Sequence, residues 1–149
     1  GDLVAKIQAF CRDTGQPVPR KPGPVLRCLL ESLACLYRRS FDELAALAGR
    51  EIERVYLVSE SSNNLLHHFI ANALNKPVLV AHPRAAAIGS LVIQAQATGH
   101  LKNSAAARHV LRQSFKTLTC HANPSPAWGP AYERFLELSG VTRAVEAIA

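Results

Sequence analysis

Chemistry in this sequence concentrates where short apolar runs give way to small polar residues. Val55, Tyr56, Leu57 and Val58 are followed by Ser59, Glu60, Ser61, Ser62 and Asn63; Val78, Leu79, Val80 and Ala81 are followed by His82, Pro83 and Arg84. The first amides of a helix are unpaired donors, so a strand-to-helix turn of this composition suits an anion or a phosphate. The same serines also suit helix capping, which needs no ligand. Arg84 stands at the second turn as a fixed cation.

Other groups offer less. Ser59, Ser61 and Ser62 lack the Gly-x-Ser-x-Gly elbow of a strained nucleophile. His67 and His68 are helix neighbours whose side chains diverge by about 100° and cannot chelate one ion. His82, His100, His109 and His121 show no paired spacing, so the histidines read as surface or capping residues and no metal site is expected. Cys11, Cys28, Cys35 and Cys120 form no Cys-x-x-Cys pair, and three lie in helical apolar patterns. They read as reduced core residues of a cytoplasmic protein.

Several elements must position these groups. Leu3, Val4, Ile7, Phe10 and Cys11 recur at helical spacing, with Gly15 as the stop. Pro17, Pro19 and Pro22 make a connector, and Pro24 suits the first turn of a long helix ending at Gly49. Leu26, Leu29, Leu30, Leu33, Leu36, Tyr37, Phe41 and Leu44 are its expected inner face. The run Val55–Val58 reads as a strand buried on both faces. Leu65, Leu66, Phe69, Ile70 and Ala73 then form a helix that Asn75 closes in the left-handed region. A second strand follows over 78–81, parallel to the first, so both polar turns face one sheet edge. A small-residue helix from Ala85 to about Gly99 is expected to pack closely on the sheet, with Gly89 at the contact. Another helix runs from Asn103 or Ser104 through Ser114, a loop spans 120–125, and a last helix starts at Ser125-Pro126. Residues 141–149 extend it or fray.

The sum is a helix-rich α/β chain with two or three parallel strands, too narrow a sheet to be the whole of one. At 149 residues with 48% hydrophobic content it is one ordered domain. No apolar run reaches the ~20 residues that span a bilayer. The net charge of +6 comes from scattered basic residues without interleaved aromatics, which argues for a solvated surface rather than nucleic acid. The absence of methionine and the opening Gly1 suggest a piece of something longer.

Four blocks resemble a known family. Phe10-Cys-Arg-Asp-Thr-Gly-Gln-Pro-Val-Pro19, Leu26-Arg-Cys-Leu-Leu-Glu-Ser-Leu-Ala34, Ser62-Asn-Asn-Leu-Leu66 and Ala85-Ala-Ala-Ile-Gly89 are similar, in order and spacing, to the C-terminal part of the rhamnulokinases. These are FGGY carbohydrate kinases of the actin-like, ribonuclease-H-like superfamily. The resemblance implies that residues 1–149 are an incomplete C-terminal nucleotide-binding domain, a partial ribonuclease-H-like layer. The parent would phosphorylate L-rhamnulose or a similar sugar with ATP and magnesium. Sugar contacts and the catalytic aspartate would come from an absent N-terminal domain, and a β-meander would precede Leu3.

The resemblance also assigns the turn. The family's phosphate loop, Gly-Gly-Gly-x-x-Asn, places its asparagine near adenine, and that asparagine matches Asn63. Its glycines fall on Val58, Ser59 and Glu60, and the glutamate of Glu-Ala-x-Ala-x-Gly falls on Arg84, with the final glycine kept as Gly89. Lost glycines crowd a backbone that must approach phosphate. Glu60 adds repulsion of about 4 kcal/mol at about 4 Å and an effective dielectric near 20, roughly a thousandfold in affinity. Arg84 could offset part of this. Two readings follow: an ATP-side kinase domain with a weakened site, or a degenerate non-catalytic remnant whose sheet edge invites a partner or a homo-oligomer.

Overall fold

The computed structural model describes residues 2–59, 64–123 and 125–140. Asp2 starts α1 (Leu3–Asp13) by accepting the amides of Val4 and Ala5 on its carboxylate, and Gly15 at φ +67° ends the turn behind it. The proline-rich connector is held rather than loose. The Gln8 side-chain amide donates to the Pro19 carbonyl at 2.9 Å. Helix α2 (Pro22–Ala48) begins two residues earlier than Pro24 because Pro22, too, is compatible with the first helical position, where no amide partner is needed. Gly49 closes it at φ +60°.

Helix α2 has two working faces. Ala34, with Phe41 beside it, packs into the main core; Cys35 packs against Tyr132 and Leu136 of α6 (Trp128–Leu138). That second contact is tied by Tyr132, whose hydroxyl donates to Asp42 Oδ2 at 2.8 Å while the Arg38 guanidinium lies 4.0 Å over its ring. The expected inner face is only partly inside. Leu30 is buried, but Leu26, Leu33, Leu36, Tyr37 and Leu44 are exposed, and the smaller Val25, Ala34 and Cys35 are buried instead.

The sheet has the order β1-β2-β3, with β1 (Val55–Val58) and β2 (Val78–Ala81) parallel. The third strand, β3 (Leu118–Cys120), runs antiparallel to β2, so the sheet is mixed rather than all parallel. Val55, Val78 and Cys120 sit in register and are buried together under α3 (Asn64–Leu74), against Ile70, Ala71, Ala73 and Leu74. Burial on both faces does not hold: Tyr56 is 64% and Val58 57% exposed on the opposite face. Asn75 takes φ +50° as expected, with Lys76 N donating to the Ala71 carbonyl.

Helix α4 (Ala85–Ala97) departs from expectation. None of its residues is buried, and Leu91 and Ile93 are both 65% exposed. Gly89 is exposed, with no atom of another element within 4 Å of where a Cβ would stand, so it does not hold the helix against the sheet. Small residues permit close packing but do not enforce it. Helix α5 (Ser104–Ser114), capped by Asn103, follows as expected. The stretch 141–149 lies outside the described residues.

Candidate functional site

The parallel pairing of Val55 with Val78 through Val58 with Ala81 ends both strands at one edge. Neighbouring strands lie about 4.8 Å apart, so Ser59 and His82 leave the sheet side by side. Ser59 is half-buried there. Glu60, Ser61, Ser62 and Asn63, which bridge to the start of α3, lie outside the described residues. Of the expected site residues, the fold thus brings Ser59 and Arg84 to the same edge and leaves Gly89 further along α4.

The second turn is built by His82. Its carbonyl accepts the Ala85 amide at 2.9 Å and its Nδ1 accepts the Arg84 amide at 3.2 Å. Because Nδ1 accepts, the proton of the neutral ring belongs on Nε2. The ring rests against Phe115 at 5.1 Å between centroids, which fixes the turn from below. Arg84, the residue before α4, is exposed and makes no ion pair among the described residues.

The start of α4 differs from those of α1 and α5. Asp2 and Asn103 cap the latter two with side-chain oxygens, whereas no side chain among the described residues caps α4. The amides of Ala86 and Ala87 meet no acceptor among those residues. Unpaired donors, the positive end of a helix and a guanidinium therefore share one sheet edge, an arrangement that attracts phosphate or carboxylate oxygens.

His67 corrects the reading of the histidines. It is 1% exposed in α3, and neither ring nitrogen finds a partner among the described residues. Burial, and secondarily the neighbouring His68, holds its pKa below the usual imidazole value. The signal was present in the spacing: His67, Ile70, Ala71 and Leu74 share one helical stripe, all buried. His68 points away and is exposed. The cysteines are free thiols, with Cys11, Cys35 and Cys120 buried. Burial pushes the Cys35 thiol up to about 11, the opposite of an activated nucleophile. No group of three or more potential metal ligands occurs among the described residues, and no helix among them is long and apolar enough to cross a membrane.

Set beside known proteins, residues 4–98 match the profile of the FGGY family of carbohydrate kinases, C-terminal domain. That span contains both strands and both turns of the edge. The chain is 39% identical to a rhamnulokinase of Bacteroides thetaiotaomicron over 135 residues, covering 90% of the chain and 28% of that protein. It is 39% identical to the Enterococcus faecalis rhamnulokinase over 127 residues, 83% of the chain and 26% of the relative. A Klebsiella pneumoniae rhamnulokinase is 37% identical over 123 residues, 82% of the chain and 25% of the relative. The chain therefore spans about a quarter of the length of these relatives.

Proposed function

Since the chain belongs to the FGGY family of carbohydrate kinases through their C-terminal domain, we propose that it is the ATP-side portion of a rhamnulokinase-like enzyme. The whole reaction would be ATP-dependent phosphorylation of L-rhamnulose or a similar ketose. The observation that carries this reading is the in-register parallel pair Val55–Val58 and Val78–Ala81, whose carboxyl ends share one edge inside the family match. In an open α/β sheet that edge is where ligands dock. The described sheet is read as part of a ribonuclease-H-like layer.

The residues present fit a polyphosphate in part. Arg84 and the open amides of Ala86 and Ala87 supply positive potential. Ser59, Ser61 and Ser62 would offer backbone and hydroxyl donors, and Asn63 would line the adenine pocket. Glu60 works against them by placing a carboxylate where the family has glycine. When bound, magnesium and ATP would supply the transferable phosphoryl group and neutralise its charge. The residues of this chain would bind and orient the nucleotide; the sugar and the catalytic base would be held by the N-terminal half of the whole kinase.

Calorimetric titration with Mg-ATP tests this reading. The chain is expected to bind weakly, Glu60→Gly to bind about tenfold or more tightly, and Arg84→Gln to bind more weakly than either. No heat from Glu60→Gly at millimolar nucleotide would remove the nucleotide claim. A second reading, a non-catalytic remnant that associates through its sheet, is favoured by the exposed Tyr56 and Val58 on the open face. It predicts self-association in light scattering that Tyr56→Lys abolishes.

A further inference from the structure

Away from the sheet edge, α1, the connector 15–21, the first half of α2 and α6 enclose a groove of about 1340 Å³. It shares no residue with the nucleotide edge and stands apart from that proposal. Its walls are largely apolar: Ile7 and Phe10 of α1, Val18 of the connector, Leu29 of α2, and Phe135 and Leu138 of α6. Phe10 is half exposed in it, although it begins one of the family-like blocks.

The groove is held open by specific bonds. Gln8 fastens the connector to α1 through the Pro19 carbonyl, and Arg134 of α6 donates to the Thr14 carbonyl at 2.9 Å. Pro17 and Pro19 stiffen the connector further. A site fixed in this way loses little freedom when it is filled.

Charge is distributed unequally around the rim. On the α6 side Arg134 is paired with Glu137, and on α2 Arg27 is paired with Glu31. On the α1 and connector side Lys6, Arg20 and Lys21 line the groove without an ion pair among the described residues. The volume exceeds the roughly 300–1000 Å³ of small-molecule pockets. The α2 wall runs over residues 23–35, about 18 Å or three helical turns.

We infer that this groove receives an amphipathic helix of about three turns from a protein partner, its apolar face on Ile7, Phe10 and Phe135 and its acidic flank along Lys6, Arg20 and Lys21. Helix-in-groove recognition needs an apolar trough of this length, and the one-sided row of cations, without an ion pair among the described residues, sets the sign of the occupant's flank.

The test uses the 149-residue chain and a fluorescein-labelled model helix of about fourteen residues, with leucines at i, i+3, i+4 and i+7 and glutamates along one flank. Anisotropy should saturate, and a twin with lysines in place of the glutamates should bind about tenfold more weakly. The variant Lys6→Glu/Arg20→Glu/Lys21→Glu, checked for an unchanged melting temperature, should reverse that preference. Occupancy should also slow maleimide labelling of Cys28, which is half-buried in the groove wall. Equal binding of the two helices, no binding at millimolar peptide, or unprotected Cys28 would overturn the inference. So would a dimer in sedimentation that the triple variant dissolves, since the groove would then belong to a second copy.

Discussion

The two faces of this small sheet follow different rules. On the α2–α3 side, Val55, Val78 and Cys120 align across three strands and meet Ile70, Ala71 and Ala73, every one of them nearly shielded from water. On the other side Tyr56 and Val58 stand in solvent, and elsewhere in the molecule α4 leaves Leu91 and Ile93 exposed as well. Apolar residues of strand and helix type occur in the packed and in the exposed regions alike. Composition thus gives the elements their type, and only packing gives them stability; the closed face holds the fold.

Core truncation is the strongest way to break this contrast. Ile70→Ala, at a position 1% exposed, should cost about 2–5 kcal/mol in urea unfolding. Ile93→Ala, the same change on α4, should stay within about 0.5 kcal/mol. Similar losses at both positions would show that α4 is packed after all.

Acid should act through the closed face as well. His67 has its folded pKa held below the unfolded value of 6.5. The unfolded chain therefore takes up the proton first, so stability is fully present above about pH 6.5 and falls as pH drops through and below it. His67→Leu should flatten this part of the profile of denaturation midpoint against pH. A slope unchanged by the substitution would place the titrating group elsewhere.

A smaller effect sharpens the α2–α6 contact. Tyr132→Phe removes the hydroxyl that donates to Asp42 while leaving the ring under Arg38, so about 1 kcal/mol should be lost. Asp42→Asn should cost less than Tyr132→Phe, because the amide oxygen can still accept.

Much of the closed face could be read from the sequence. The runs Val55–Val58 and Val78–Ala81 each ended in polar residues, and Asn75 marked the helix stop between them, so the strand–helix–strand unit and its shared edge were legible. Strand β3 was not, because Leu118, Thr119 and Cys120 span barely one period and bury only Cys120. In α2 leucines lie around much of the helix, so the stripe had little contrast; of the expected leucines only Leu30 is buried, and the other buried positions went to Val25, Ala34 and Cys35. Ser59 and Arg84 reached the expected edge through strand order, whereas the placement of Gly89 depended on a contact that small residues allow without requiring. His67 was hidden by its type, not its position: the stripe predicted burial and the imidazole suggested water.

The mildest test separates the packed from the exposed part of the molecule at a single atom. Gly89 lies inside α4 without a positive φ, and no atom of another element stands within 4 Å of its missing Cβ. Alanine there loses less backbone entropy on folding and meets no clash, so Gly89→Ala should raise stability by about 0.5–1 kcal/mol. The melting temperature should rise, and far-ultraviolet circular dichroism should show no loss of helix. If α4 instead lay against the sheet through Gly89, the added methyl would force the helix away and the melting temperature would fall. The sign of one substitution therefore decides whether α4, which begins just after Arg84, is an exposed arm beside the sheet edge or a packed member of the core.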